Sequence, residues 1–343
     1  MRPTIKHIAE LSGVSKTTVS FAFNDPSKIS RATYERIMAI ADAEGYVPDP
    51  VARSMTTKRA GAIGVLLPQA IQESLRNPYV PEVLRGIGAV CHREDLFLTV
   101  LPPLKGFLSN AVRNAAVDGF IALGVDTAPG IAVLIRQRRV PFVTVDGDAD
   151  LDLVNFGIDD AAAAEGAMDH VLSFGHERVA VLSLQSELSL AAEAHPSRAG
   201  SRRLAGFSRS LEKRGLSLRS PRIPVCPVDS TMEAAREAAA RLLRDDRPTA
   251  FVCMSDIIAM GVYAACRDAG LSIPWDISVT GMDDIPFATF LEPALTTIRQ
   301  PGFQKGALAA SAIIESMRGQ TPSSAVLPVE LMVRGSVGPP RRP

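Results

Sequence analysis

Apolar positions recur with a helical period through the first sixty residues and with a strand–helix rhythm after that. Ile5, Ile8 and Ala9 fall at i, i+3 and i+4, which predicts a short helix with Thr4 as its N-cap. Val19, Ala22 and Phe23 form the inward stripe of a second helix capped by Ser15, and Gly13 gives the corner between them a permissive backbone. Ser30 opens a third helix with Ile37, Ile40 and Ala41 facing inward, and Gly45 stops it. Asp49 and Pro50 then start a helix of about two turns, below the length that holds alone in water.

From residue 62 onward short apolar runs alternate with amphipathic ones. Strands are expected at 62–67, 96–101, 117–123 and 141–145, with helices at 81–93 and 131–138. The rhythm restarts with helices at 161–174, 201–214, 232–244 and 256–269. Strands at 179–183, 222–225, 250–254 and 277–282 lie between them. Such alternation predicts an α/β body of two doubly wound parallel-sheet lobes behind an all-α helix-turn-helix head. A strand near 296–298 and a helix at 304–318 are expected to cross back to the first lobe. The domains are then a head at 1–48, a hinge at 49–60 and a body at 61–343. Its first lobe takes 61–158 plus 292–322, its second 159–291 plus 323–338.

The second helix leaves Lys16, Thr17, Ser20, Phe21 and Asn24 on its outer face. An ammonium, hydroxyls, an amide and one aromatic, with no carboxylate, suit the floor of a DNA major groove. There Lys pairs with guanine acceptors, Asn with adenine, and Phe packs on a thymine methyl. Thr4, Ser15 and Thr18 complete the candidate contacts of the head. An αα-hairpin with a solvated polar face has the same pattern, so the spacing alone does not decide.

The flanking residues do. The run Thr4-Ile5-Lys6-His7-Ile8-Ala9, the core Gly13-Val14-Ser15-Lys16-Thr17-Thr18-Val19-Ser20, Asn24, and the stretch Gly45-Tyr46-Val47-Pro48-Asp49-Pro50-Val51-Ala52-Arg53-Ser54-Met55 occur in order. This arrangement resembles the lactose/galactose-repressor (LacI/GalR) family of bacterial transcription regulators, and the resemblance extends over almost the whole chain. It implies a hinge, with Ala52, Arg53 and Met55, that is disordered in the free protein and folds when two copies pair on DNA. Met55 stands where the family places a leucine wedge that kinks the minor groove. Asp49 replaces the family asparagine and brings a carboxylate near phosphates.

Composition fits this reading. The chain of 343 residues is 46% apolar and 22% charged, long enough for two or three domains. It has no apolar run long enough to span a membrane and no apolar core of a signal peptide near its start, which points to the cytoplasm. Cys91, Cys226, Cys253 and Cys266 are scattered without metal spacing and are expected to be reduced and mostly buried. The formal charge is zero overall, but residues 1–60 carry nine Lys/Arg and six Asp/Glu, leaving the head at +3 and the remainder at −3.

Doubly wound sheets also carry enzymes, so the body is judged by its motifs. No GxGxxG follows the first strand, and neither a P-loop nor a GxSxG is present. No catalytic residue, cofactor or metal is expected. His176, in a helix-to-strand turn, is expected to be structural. Open α/β sheets bind ligands beyond the carboxyl ends of their strands, where Asp146, Ser255, Asp256 and Asp283 fall, with Tyr79 opening a first-lobe helix. The resemblance makes Arg203 and Asp283 the pair that grips a small-molecule effector. Asp256 reads equally as a structural carboxylate at a helix start, Asp146 as a turn cap, and Arg203 and Asp283 as partners in salt bridges. Val80, Ser230 and Gly147 depart from the family's usual ligand-covering side chains. The Gly- and Pro-rich end, 335–343, carries no heptads, so a homodimer reading a palindromic operator is expected rather than a tetramer. The rival readings are a solute-binding protein and a metabolic enzyme with an appended head.

Overall fold

The computed structural model describes residues 3–105, 107–124, 129–147, 153–184, 198–245 and 247–341. The chain separates into two compact units that divide after Ala60.

Among the described residues the first unit holds four α-helices, α1 (Ile5–Ser12), α2 (Lys16–Asn24), α3 (Arg31–Ala43) and α4 (Pro50–Thr57), and a single 3-10 turn at Pro26–Lys28. Each of the first three starts at a hydroxyl cap. Thr4, Ser15 and Ser30 accept from the backbone N–H groups of His7, Thr18 and Thr33. Gly13 closes α1 at φ 65°, a backbone region that disfavours side chains. Ile8, Ala9, Val19, Ala22 and Ile37 form the buried centre, with Phe23 against Tyr46 edge-on at 5.5 Å. The 50–57 segment makes up helix α4, with Pro50 at its first position.

The second unit contains two six-stranded sheets. The first is built from β1 (Ala62–Leu66), β2 (Phe97–Leu101), β3 (Gly119–Leu123), β4 (Phe142–Val145), β5 (Val154–Ile158) and β11 (Ala325–Leu327) in the order β11-β5-β4-β3-β1-β2. The second takes β6 (Val179–Leu184), β7 (Val225–Val228), β8 (Ala250–Cys253), β9 (Ser278–Asp283), β10 (Thr296–Arg299) and β12 (Glu330–Met332) in the order β12-β10-β9-β8-β6-β7. All neighbours are parallel except β10 and β12.

Alternation along each strand feeds two cores per sheet. Ile63 and Val65 of β1 point to one face, where α6 (Tyr79–Arg93) and α13 (Gly302–Met317) pack; Ala62 and Leu66 point to the other, under α7 (Leu108–Asn114) and α8 (Pro129–Arg138). In the second sheet Val179 and Val181 face α9 (Asp160–Ser173) and α10 (Arg198–Glu212). Ala180 and Leu182 face α11 (Met232–Asp245) and α12 (Asp256–Asp268). A short helix α5 (Ile71–Ser74) precedes α6. The α6–α13 crossing is held close by two glycines. A Cβ on Gly86 would lie 2.0 Å from the Phe303 carbonyl oxygen, and one on Gly306 2.1 Å from that of Val83.

The chain changes sheets later than expected. The strand at 296–299 pairs with β9 and so belongs to the second lobe, and the crossing to the first follows Arg299. Residues 325–327 pair with β5 in the first lobe, although 323–338 was expected in the second; the chain returns to the second lobe from β12 onward, where Ser336, Val337 and Gly338 pack. The partner of a three- or four-residue strand is set by long-range pairing, which local pattern does not encode.

Candidate nucleic-acid interface and ligand cleft

On α2, Lys16 and Thr17 are exposed, and Phe21 lies half-buried beneath Lys28, whose Nζ is 5.1 Å from the ring centroid. Asn24 Nδ2 donates back to the Ser20 carbonyl at 2.9 Å and its hydroxyl at 3.1 Å, which orients the amide along the helix. Ser15 and Thr18 spend their hydroxyls on each other at 2.9 Å and on the cap, so they shape the helix start. Thr4 likewise caps α1. In α4, Ala52 is exposed and Met55 is 77% exposed, an apolar side chain left in solvent. The side chain of Arg53 lies outside the described residues.

In the body, the carboxyl ends of β4 and β9 bring Asp146 and Asp283 into one polar network. Tyr79 donates its hydroxyl to Asp146 Oδ2 at 2.5 Å. Lys305, on α13, donates to Asp146 Oδ1 at 2.6 Å, the Tyr79 hydroxyl at 2.9 Å and Gln300 Oε1 at 2.7 Å. Gln300 in turn donates Nε2 to Asp283 Oδ1 at 2.7 Å. Asp283 Oδ2 is buried and has no hydrogen-bond partner among the described residues. Burial, reinforced by the nearby charge of Asp256, pushes the Asp283 carboxyl well above the usual range despite Arg203, Lys305 and Gln300. Asp146 and Asp283 also sit at φ 56° and 135°, so backbone strain is concentrated at this place.

Arg203 is buried and braced from the second lobe. Its Nε donates to Asp160 Oδ1 at 2.9 Å and its Nη1 to the Met254 carbonyl at 2.5 Å. Burial acts against the Asp160 charge, but Arg203 and Arg202 outweigh it and hold that carboxyl below its ordinary value. Burial and the Asp146 charge push the Tyr79 hydroxyl well above its ordinary value. Between the lobes Asn77 Nδ2 reaches Ser230 Oγ at 3.5 Å, and Arg76 reaches Glu233 at 4.0 Å.

Not every candidate turns its side chain to the cleft. Ser255 caps α12 through the Ile258 N–H at 3.4 Å. Asp256 accepts from Thr297 Oγ1 at 2.5 Å and from the Ile285 N–H at 2.9 Å, the structural alternative read from its position. His176 ties Thr249, Ser278 and the Gly338 carbonyl together at 2.8, 3.1 and 2.8 Å. Val80 packs on the first-lobe core. A groove of about 450 Å³ between α9 and the β11–β12 passage is lined by Ala162, Ile298, Leu327 and Leu331. Its one carboxylate, Asp159, is committed to capping α9.

Two members of the network, Gln300 and Lys305, are absent from the sequence-based candidates. Gln300 follows a strand end, where the rule that located Asp283 would also have found it. Lys305 falls at i, i+4 and i+8 with Ala309 and Ile313 on the buried face of α13, a cation in an apolar stripe.

Comparison with known proteins agrees with both halves. Residues 4–49 match the model of bacterial regulatory proteins of the lacI family, and residues 168–337 that of a periplasmic binding protein-like domain. The transcriptional repressor PurR of Photobacterium profundum is 32% identical over 346 residues, covering 97% of this chain and 98% of its own. A LacI family regulator from Enterococcus faecium, solved with bound ribose, shares 25% identity at a TM-score of 0.71, over 82% of this chain and all of that one. The lac repressor dimer bound to operator and the anti-inducer ONPF shares the fold at a TM-score of 0.82 and 23% identity, over 98% of this chain and 100% of that one. Among the described residues no helix is long and apolar enough to cross a membrane. With a helix-turn-helix head, a two-lobed α/β body and this degree of identity along its length, the chain belongs to the LacI family of DNA-binding transcription regulators and is not an enzyme.

Proposed function

We propose that the protein is a cytoplasmic homodimeric repressor whose affinity for a palindromic operator is set by a sugar or related small metabolite bound between the lobes. Lys16, Thr17 and Phe21 set base preference, Asn24 and Thr4 position the head, with Ser15, Thr18 and Ser20 beside them. Ala52, Arg53 and Met55 act in the minor groove. The effector is gripped by Arg203 and Asp283, with Tyr79 and Asp146 on the opposite wall and Ser255 nearby. The buried Oδ2 of Asp283, unpartnered among the described residues, carries this reading, since a buried polar atom without a hydrogen-bond partner calls for one from a ligand. Binding there changes the relation of the lobes and shifts the population that pairs its hinges on DNA.

Selection of bound sequences from a random DNA pool at stated salt, with full-length protein, tests the head. A palindrome with a central pyrimidine–purine step is expected. That site then becomes the assay for screening sugars and nucleosides as effectors. If no palindrome is enriched with or without those compounds, the operator reading fails.

A further inference from the structure

Lys305 is 0% exposed, and each of its three ammonium protons has an acceptor: Asp146, Tyr79 and Gln300. Both oxygens of Asp146 are thereby engaged, one by Lys305 and one by Tyr79. Gln300 is spent at both ends, accepting from Lys305 and donating to Asp283. The first-lobe wall is therefore satisfied from within the chain. What is left for a ligand lies on the second lobe: the bare Oδ2 of Asp283, which is 7% exposed as a residue, and the Arg203 guanidinium, whose Nη2 is uncommitted among the described residues.

A largely desolvated carboxylate such as Asp146, its side chain 13% exposed, needs a cation or several donors. In a cleft without Lys305 the ligand would have to bring that cation, and an ammonium would be the group selected. With Lys305 in place, a ligand ammonium meets a buried ammonium a few ångströms away. Such like-charge proximity opposes binding strongly at low dielectric. We infer that Lys305 is a specificity-determining residue of the cleft. It occupies an ammonium subsite on Asp146, excludes amine-bearing ligands, and leaves neutral hydroxyl- or amide-bearing molecules to be read by Asp283 and Arg203. The inference rests on the cleft being the effector site.

The test removes the resident cation and offers a free one. Full-length Lys305→Ala and the unsubstituted protein are melted in methylammonium chloride, with tetramethylammonium and sodium chloride at equal ionic strength as controls. Methylammonium is expected to raise the midpoint of Lys305→Ala by about 3 °C or more, the effect of a ligand bound only by the folded state. It should leave the unsubstituted protein and the double variant Lys305→Ala/Asp146→Asn unmoved. If Lys305→Ala folds only when refolded in methylammonium, the inference is equally supported. An unchanged midpoint, or failure to refold under every salt, overturns it. A second variant, Lys305→Met, keeps the apolar stem and is titrated with ribose, glucose and glucosamine. Glucosamine should gain at least about tenfold over glucose relative to the unsubstituted protein, a shift well within what one desolvated charge pair supplies. No change in that preference, where the sugars bind, overturns the inference. If no sugar binds either protein, the sugar-cleft reading fails, and the methylammonium result still decides whether Lys305 fills an ammonium subsite.

Discussion

Arg203 Nε donates to Asp160 Oδ1 at 2.9 Å, and both side chains are nearly sealed from solvent. Asp160 also holds Arg202, at 2.8 Å, so one carboxylate aligns two guanidiniums at the start of α9. Asp160→Ala strands the buried Arg203 charge and is expected to cost roughly 3–5 kcal/mol of stability, read as a lowered urea midpoint. Arg203→Ala leaves Asp160 its second partner. It should abolish the response to a validated effector while operator affinity persists. An unchanged response in Arg203→Ala would remove Arg203 from the cleft.

Lys16 is exposed on α2 with no resolved ion pair among the described residues. Lys16→Ala should weaken operator binding by about 1–3 kcal/mol and relax preference at one base position, with effector binding intact. A uniform loss across all sequences, with a reduced salt slope, would instead assign Lys16 to a phosphate.

Burial pushes the Asp256 carboxyl up from an ordinary 3.8 to about 6, against the hydrogen bonds from Thr297 and Ile285. The folded state therefore holds its proton more tightly than the unfolded chain. The stability this contributes is full below about pH 3.8 and is lost as pH rises through about 6. Asp283 shifts in the same direction. From Asp256 alone, urea unfolding should show the body gaining roughly 2 kcal/mol between pH 7.5 and 4.5. Asp256→Asn should flatten that slope, and a flat profile in the unsubstituted protein would refute it.

Ile8 is fully buried at the centre of the head. Ile8→Ala removes packing worth roughly 2–5 kcal/mol and is expected to unfold the head and abolish operator binding. Because the chain forms two compact units, the thermal transition of residues 61–343 should not move. A parallel drop in both would show that the units unfold together.

Local physics made much of this legible. Thr4, Ser15 and Ser30 each precede an apolar stripe and cap as expected, because a cap depends only on residues within one turn. Strand–helix alternation forecast two parallel sheets for the same reason. The sheet assignments of 296–299 and 325–327 were hidden, since they depend on partners more than ten residues away. The cleft was half legible. Asp146 and Asp283 lie at strand ends, but the Lys305 ammonium reaches Asp146, and through Gln300 Asp283, only after α13 has crossed back to the first lobe. Ser255, placed by the same strand-end rule, spends its hydroxyl on the helix it starts.

The glycine contact between α6 and α13 has a bearing on ligand size. Tyr79 begins one of those helices and Lys305 sits beside Gly306 on the other, so the spacing of phenol and ammonium is set by backbone touching backbone. Neither helix can slide or swell to admit a larger guest without breaking that touch. In the proposed effector site the first-lobe wall would then be a fixed gauge, leaving adaptation to different molecules to the second lobe.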